Sequence, residues 1–214
     1  MHITLTLSEG SCCNYRPLQL EKRGFTNHPA IIDYKNSSYF FYHNGALPGG
    51  SGYTRSVAVE RFTYGADGSI PTISMTTAGA PQIGTLDPFV RNEAETMAFS
   101  SGVKYATCSE GGINLSSLSN GDYVKIKGVA FGAGAKTFTA RVASGGGGGK
   151  IEVRLGSTSG TVVGTCTVGG TGGWQNWASV SCAVSGAEGT KDLFLRFTGG
   201  SGDLFNFNWW QFGN

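Results

Sequence analysis

The sequence carries little charge and no concentrated basic segment. Asp, Glu, Lys and Arg make up 14% of its 214 residues, whereas an average soluble protein carries about 25%. The formal net charge is only +2, and no basic cluster is larger than the Glu21, Lys22, Arg23 triplet. The electrostatic field of so few positive charges is too weak to bind a polyanion such as a nucleic acid. We therefore expect no nucleic-acid partner.

Long apolar runs are also missing. No stretch approaches the roughly 18 apolar residues that a membrane helix needs. The first fifteen residues, MHITLTLSEGSCCNY, lack the basic region and the continuous apolar region of a secretion signal. We expect no membrane partner, and we expect any export signal to have stood on a longer parent chain.

The five cysteines are an odd number, which excludes complete pairing within one chain. No C-x-x-C spacing occurs, so a cysteine metal site is not indicated. Cys12 and Cys13 are adjacent, and Cys108 has no obvious mate. Cys166 and Cys182 lie on two strand-like runs that a hairpin would bring face to face, which favours a disulfide. Two small buried thiols are the alternative.

Glycine, with 35 residues, and aromatic residues, at 12%, are abundant instead. This profile is typical of a turn-rich, all-β, extracellular protein. Residues 1–27 show no clear period and stay unassigned. From Ala30 the pattern predicts three alternating strands, which amount to a small sheet or one propeller blade. A segment rich in Gly, Pro and Thr follows, and we place the domain boundary near residues 87–91.

Beyond the boundary, seven alternating runs separated by glycine-rich turns predict a β-sandwich of the jelly-roll kind. The runs are YVKIKGVAF, KTFTARVAS, KIEVRLGS, TVVGTCTV, WASVSCAV, DLFLRFTG and LFNFNWWQF. Five consecutive glycines, residues 145–149, have the composition of a linker between domains. Because they stand between two strands of matching length, we interpret them as a hairpin loop.

Residues 88–214 resemble carbohydrate-binding module family 6 in the order and spacing of several motifs. These include NEAETMAFSSGV, NGDYVKIKGVAF, GGWQNWASVSC and LFNFNWWQF. The resemblance implies a galactose-binding-like jelly-roll sandwich. Residues 28–87, which begin HPAIIDYKNSSYFFYHNG, are similar to the last part of the five-bladed propeller of glycoside hydrolase family 43. That family includes β-xylosidases and α-arabinofuranosidases.

The second resemblance implies a partial propeller blade from a truncated hydrolase, because the blades that carry the family's catalytic carboxylates come earlier. His28 and Arg55 match positions of that family's active-site floor, and His43 lies near them in sequence. The candidate carboxyls upstream of the module are Asp33, Glu60 and Asp67, and none matches a catalytic position. We predict that this chain has no catalytic residues and is inactive alone.

Trp174 is the leading candidate for sugar contact. The C–H face of a pyranose ring packs on an aromatic ring, and its hydroxyls bind amides and carboxylates. Trp174 follows GGTGG and should stand at a hairpin tip. Strand alternation would place Trp177, three residues on, in the core. The family resemblance makes Trp174 the sugar platform and Asn206 a partner for sugar hydroxyls, with a bond from Asn206 to a neighbouring loop as its alternative.

Two further positions, Ser117 and Tyr123, affect how this carbohydrate site would hold a sugar. Ser117 stands where relatives with a well-developed site carry a second aromatic residue, so a sugar would be stacked from one side only. Tyr123 is the nearest aromatic residue, but it starts a strand and is predicted to be buried. Weaker binding, a different sugar, or use of the family's concave-face site are the open consequences.

Glu93 and Glu95 in NEAET suggest a cation. On a strand, two carboxylates separated by one residue face the same way, which is costly without a cation beside them. Ca²⁺ accepts carboxylate, amide and carbonyl oxygens. The family resemblance implies a structural calcium here, with Asn208 as a further ligand. A solvated pair at a domain edge is the alternative.

The sequence thus predicts a secreted, monomeric, non-catalytic module that binds plant cell-wall polysaccharide, namely xylan, arabinoxylan or a related β-glycan. Two other functions stay open. One is residual or partner-assembled glycoside hydrolysis, and the other is a β-sandwich without a ligand.

Overall fold

A computed structural model describes residues 28–45, 50–76 and 78–214. Residues 1–27, with Cys12 and Cys13, lie outside the described residues. The described residues divide into two compact units, one that ends at Gln82 and one that spans Ile83–Asn214. This division falls shortly before the boundary predicted at residues 87–91. All regular elements in the described ranges are β-strands, in agreement with the predicted all-β fold.

The first unit contains a three-stranded antiparallel sheet in the order β1-β2-β3. Its strands are β1 (Ala30–Tyr34), β2 (Ser37–Asn44) and β3 (Ser56–Phe62). Lys35 and Asn36 join β1 to β2 with positive φ angles of 47° and 59°, as a tight hairpin turn requires.

The second unit is a nine-stranded antiparallel sheet. Its path runs β10-β9-β11-β8-β12-β7-β6, while β4 pairs with β12 and β5 pairs with β8. The strands are β4 (Asn92–Glu93), β5 (Phe99–Ser101), β6 (Lys104–Thr107), β7 (Ile113–Ser116), β8 (Tyr123–Ala143), β9 (Gly149–Leu155), β10 (Val162–Val168), β11 (Ala178–Thr198) and β12 (Asn206–Gly213).

Two long strands make this sheet curl around one apolar core. β8 and β11 have 21 residues each and pair along most of their length, with several register shifts between Ala183 and Leu193. Such shifts bend a strand and increase its twist. Buried aromatic side chains from β8, β11 and β12 and from the residue before β12 fill the interior, namely Phe131, Phe138, Phe197, Phe205, Phe207, Trp210 and Phe212. The predicted jelly-roll sandwich is confirmed in this form.

The last strand departs from simple alternation at Asn208. Phe207 pairs with Val142 and Trp209 pairs with Arg141, with a register shift between them. Asn208 is therefore the extra residue of a bulge, which changes the phase of the strand. Strand alternation through LFNFNWWQF would place Trp209 on the same face as Phe207, but Trp210 is fully buried instead, and Trp209 lies 5.4 Å from the guanidinium of Arg91.

Residues 145–149 are neither an interdomain linker nor a hairpin loop. They connect β8 to β9, and β11 lies between those two strands in the sheet. The hairpin interpretation is wrong, because two strands of matching length that follow each other in the chain need not be neighbours in the sheet. These glycines instead cross over at one end of the curled sheet.

Cys166 on β10 and Cys182 on β11 form a disulfide with an S–S distance of 2.06 Å. Gly164 pairs with Val184, so the two cysteines face each other across the same two strands. Cys108 is buried and free. Among the described residues, no helix is long and apolar enough to cross a membrane.

Candidate functional site

Trp174 lies on the loop between β10 and β11 and is 41% exposed. Its indole rests on the crossover between β8 and β9. A Cβ atom built on Gly145 would lie 2.7 Å from the indole Nε1, and one on Gly146 would lie 3.9 Å from its Cη2. The glycine backbone thus supports the indole ring. The exposed part of the ring is a large aromatic surface that a partner can pack against.

Ser144 and Thr171 hold the two loops together at the base of Trp174. The Ser144 N–H donates to Thr171 Oγ1 over 2.8 Å, and the Thr171 N–H donates to the Ser144 carbonyl over 2.9 Å. The buried Ser144 hydroxyl donates to the Leu204 carbonyl over 2.7 Å. Neither Ser144 nor Thr171 is among the residues predicted from the sequence. The one signal for them in the sequence is their position: Ser144 directly precedes the five-glycine run, and Thr171 lies within GGTGG.

Asn206, at the start of β12, is buried and bonds to the Trp174 loop. Its Nδ2 donates to the Trp174 carbonyl over 2.6 Å. This is the alternative that the sequence left open for Asn206, a bond to a neighbouring loop. The amide therefore anchors the backbone of the exposed tryptophan.

Gln175 and Trp177 continue the polar surface next to Trp174. Gln175 Oε1 accepts from the Ser109 N–H over 2.8 Å, and Trp177 Nε1 donates to Ser109 Oγ over 3.0 Å. Gln175 Nε2 donates to Asn114 Oδ1 over 3.3 Å. The prediction that Trp177 belongs to the core is wrong. The chain turns at residues 174–175 and β11 begins only at Ala178, so strand alternation does not reach Trp177.

Ser117 is half-buried with a φ of 51° and follows directly after β7. Because a serine has no ring, this position offers no second stacking surface.

Tyr123 is half-buried, not enclosed in the core as predicted. Its neighbour Val124 points into the core, so Tyr123 points outward from β8. Its ring lies 6.3 Å from that of Phe99 and 6.0 Å from that of Phe194, with Lys125 Nζ 5.5 Å from the Phe194 ring. The exposed Phe99 and the half-buried Tyr123, with the buried Phe194 behind them, form a second aromatic surface, which we call the outer aromatic row.

Two of the three residues predicted to bind a metal carry buried oxygens without a hydrogen-bond partner, Glu95 Oε2 and Asn208 Oδ1. The Ala94 N–H donates to the Asn208 carbonyl over 2.8 Å, which holds the two segments together. Glu93 forms an ion pair with Arg91 at 2.8 Å. Since β4 ends at Glu93 and the chain turns at residues 94–95, strand alternation does not relate Glu93 to Glu95.

No group of three or more His, Cys, Asp or Glu side chains is arranged to hold a metal ion in the part of the chain that the structure describes. A site around Glu95 and Asn208 would combine one carboxylate with amide and backbone oxygens, a donor set that suits Ca²⁺.

Glu110 lies beside Asn208 and was not singled out from the sequence. Its carboxylate accepts from Arg141 Nε over 3.1 Å and from Asn208 Nδ2 over 3.2 Å. The hydrogen bond from Arg141 and its positive charge hold the pKa of Glu110 below its usual value. The carboxylate stays ionised and keeps the Asn208 amide in one orientation.

Asp33, Glu60 and Asp67, in the described part of the first unit, have local partners. Asp33 Oδ1 accepts from Ser38 Oγ over 2.6 Å, and the buried Glu60 accepts from the Thr76 N–H over 2.7 Å and from the Tyr42 hydroxyl over 3.1 Å. Asp67 accepts from the Ser69 N–H over 3.0 Å. Hydrogen bonds from Ser69 lower the pKa of the exposed Asp67.

The three residues that match or lie near the hydrolase active-site floor come together in this unit. His43 Nε2 lies 3.0 Å from the guanidinium of Arg55, and the His28 ring lies 5.7 Å from the His43 ring.

An exposed tryptophan held on a loop edge, beside buried amides and at the end of a β-sandwich, is the arrangement of a carbohydrate-binding module. The family model described as "Carbohydrate binding module (family 6)" matches residues 93–214. The chain belongs to this family.

Three similar proteins extend the comparison. The arabinoxylan arabinofuranohydrolase of Bacillus subtilis (strain 168) is 44% identical over 86% of this chain and 38% of its own length. A crystal structure of a glycoside hydrolase family 43 arabinoxylan arabinofuranohydrolase from Bacillus subtilis, in complex with cellotetraose, has a TM-score of 0.81 and 42% identity, covering 89% of this chain and 41% of that chain. A family 6 module from Clostridium cellulolyticum in complex with xylose has a TM-score of 0.59 and 47% identity, covering 60% of this chain and 100% of that one.

The chain thus spans less than half the length of the hydrolases it matches. These matches extend beyond the family 6 module into the N-terminal part of the chain. That part is similar to glycoside hydrolase family 43, as its sequence motifs predict.

Proposed function

We propose that this chain binds xylan or arabinoxylan with Trp174 as the stacking platform, and that it does so without catalysing hydrolysis. The observation that carries the proposal is the exposed indole of Trp174, supported by the backbone of Gly145 and anchored by Asn206. A rigid aromatic surface suits the C–H face of a pyranose ring.

The similar proteins support this sugar class. The hydrolases are named for arabinoxylan, and the Clostridium cellulolyticum module was solved with xylose. Beside Trp174, the amide of Asn206 has donor and acceptor atoms of the kind that bind sugar hydroxyls.

Affinity gel electrophoresis tests the proposal with soluble arabinoxylan, unsubstituted xylan and a β-glucan in separate gels. We expect the wild type to be retarded by the two xylans and Trp174→Ala to migrate as in a gel without polysaccharide. Val162→Ala is the control, because Val162 is an exposed apolar residue of β10 that pairs with Arg154 at the far end of β9. Wild-type protein that runs unretarded in every xylan gel would overturn the proposal.

The outer aromatic row is a second candidate surface, supported by the tilted rings of Phe99, Tyr123 and Phe194. Tyr123→Ala in the same gels separates the two surfaces. If Tyr123→Ala abolishes retardation and Trp174→Ala retains it, the sugar binds at the outer row.

The non-catalytic role is supported by the three carboxyls that the structure describes in the first unit. Glycoside hydrolysis uses two carboxyls across the scissile bond, whereas Asp33, Glu60 and Asp67 each bind a neighbouring hydroxyl or N–H group. We expect no release of nitrophenol from aryl arabinofuranoside or aryl xyloside by the purified chain. Turnover above the blank that follows the protein through purification would contradict this role.

We further propose a structural Ca²⁺ at Glu95 and Asn208, supported by their two buried oxygens without partners. A ligand that binds the native state alone raises its stability. The melting temperature should therefore rise when calcium is added to EDTA-treated protein, and Glu95→Gln should remove that rise. A melting temperature equal in calcium and in EDTA would contradict the site.

Secretion and a monomeric state complete the proposal. The disulfide between Cys166 and Cys182 is of a kind that persists in oxidising compartments. Light scattering of the purified chain should give a mass near 22.4 kDa, and twice that value would contradict a monomer.

A further inference from the structure

We propose that Gly145 is a positioning residue for the Trp174 platform, because the absence of its side chain sets the height and tilt of the indole. This inference rests on the proposed sugar-binding function of Trp174. It gives Gly145, the first residue of the five-glycine run, a role in ligand binding beyond that of a connection.

The contact between Gly145 and Trp174 is made over the face of the indole. A Cβ atom on Gly145 would lie 2.7 Å from Nε1, 2.9 Å from Cδ1 and 2.9 Å from Cε2. A point nearly equidistant from three adjacent ring atoms stands above the ring, since a point in the ring plane beyond Nε1 would be much farther from the other two. The backbone of Gly145 therefore supports one face of the platform.

The requirement for glycine at position 145 is steric. The residue does not have a positive φ, in contrast to Gly148, whose φ is 77°. Contacts below 3.0 Å, as a methyl group at position 145 would make, are not tolerated by close-packed groups. An alanine fits the backbone here, but the indole must move to admit it.

The Trp174 backbone is held in a way that prevents a simple retreat. The Trp174 carbonyl accepts from Asn206 Nδ2 over 2.6 Å, and the Gly173 N–H donates to the Ser144 carbonyl over 3.3 Å. Ser144 is itself buried and bonded to Thr171 and Leu204. With the main chain held on both sides, the indole can respond only by rotating away from the glycine floor.

The same crossover supplies a graded set of controls. Gly147 has no heavy atom within 4 Å of a built Cβ and no positive φ, so Gly147→Ala should be neutral. A Cβ on Gly146 would touch Trp174 Cη2 at an ordinary 3.9 Å. The three alanine variants thus range from no contact with the indole to a severe one.

Titration of arabinoxylan oligosaccharide tests the inference, with the indole N–H signals in ¹⁵N–¹H spectra as a second readout. The Trp174 signal is assigned by its loss in Trp174→Ala. We expect Gly145→Ala to bind at least about tenfold more weakly and to shift the Trp174 indole signal in the free protein. Gly146→Ala should have a small effect and Gly147→Ala none. Unchanged affinity and an unmoved Trp174 signal in Gly145→Ala would overturn the inference.

The indole signal separates this inference from the proposed function, because it reports the position of Trp174 without any sugar. If the wild type binds no xylan, the proposed function fails, while a shifted signal in Gly145→Ala still supports the packing. Should Gly145→Ala unfold, a double-mutant cycle with Trp174→Ala decides. Removal of the indole should relieve the clash, so Gly145→Ala should lower the melting temperature less in the Trp174→Ala background than in the wild type. An equal decrease in both backgrounds would contradict the inference.

Discussion

The side-chain amide of Asn206 donates a 2.6 Å hydrogen bond to the main-chain carbonyl of Trp174. Asn206 stands at the start of β12, opposite Ala143 of β8, whereas Trp174 lies on the loop between β10 and β11. This bond fastens the exposed tryptophan to a buried strand. The loop is thereby ordered before a ligand arrives, which reduces the entropic cost of binding.

We expect Asn206→Ala to weaken binding of xylan oligosaccharide several-fold, because a lost hydrogen bond of this kind corresponds to about 1 kcal/mol. Asn206→Asp should be worse, since a carboxylate cannot donate to the Trp174 carbonyl and repels it. Isothermal titration calorimetry measures both. Asn176→Ala, at an exposed position of the same loop, is the control. Equal affinity of Asn206→Asp and the wild type would argue against the anchoring role.

The Cys166–Cys182 disulfide closes the loop that carries Trp174, with a sequence separation of 16. Closure of a loop of about 15 residues stabilises a fold by roughly 3 kcal/mol. Replacement of both cysteines by serine should lower the melting temperature by about 10 °C. Calorimetry with and without reductant checks this: reductant should lower the wild-type value and leave the double variant unchanged.

Ser144→Ala removes a fully buried hydroxyl that donates to the Leu204 carbonyl and accepts from the Gly146 N–H. Both partners would lose this bond, so we expect the free energy of unfolding to fall by about 1–3 kcal/mol. Urea denaturation measures the change. Ser157→Ala, at an exposed serine, should be neutral, and a neutral Ser144→Ala would mean that another donor replaces the hydroxyl.

Glu110 makes the stability of the second unit depend on pH. Because the hydrogen bond and the charge of Arg141 lower its folded pKa below the usual 4.5, its contribution is present above the unfolded pKa. It is lost as pH falls through the lower, folded pKa. Unfolding free energies measured from pH 6 downward should therefore drop more steeply in the wild type than in Glu110→Gln. Parallel curves below about pH 4.5 would contradict this.

Much of the fold follows from local pattern. Alternation predicted β1 to β3, the runs that form β8 to β12 and the β-sandwich, because the two-residue period of a half-buried strand is written directly in the sequence. It did not predict the short strands β4 to β7, and it divided β8 and β11 into two runs each. Motif order along residues 88–214 predicted the family. The glycine-rich segment before Trp174 marked a loop, since glycine neither packs nor favours a strand interior.

Errors arose where strand alternation was extended across a bulge or a turn. The bulge at Asn208 buries Trp210 in place of Trp209, and a bulge depends on pairing with a distant strand. Trp177 lies outside the strand whose alternation was applied to it. Tyr123 was expected to be buried, but the phase of β8 turns it outward.

The sequence by itself determined most of the alternating strands, the loop position of Trp174 and the family to which the chain belongs, because these depend on local period and motif order. The tertiary structure alone decided what supports Trp174. Gly145, Ser144 and Asn206 come from other segments of the chain. Only the curling of the sheet brings these segments together, and no local pattern encodes that meeting.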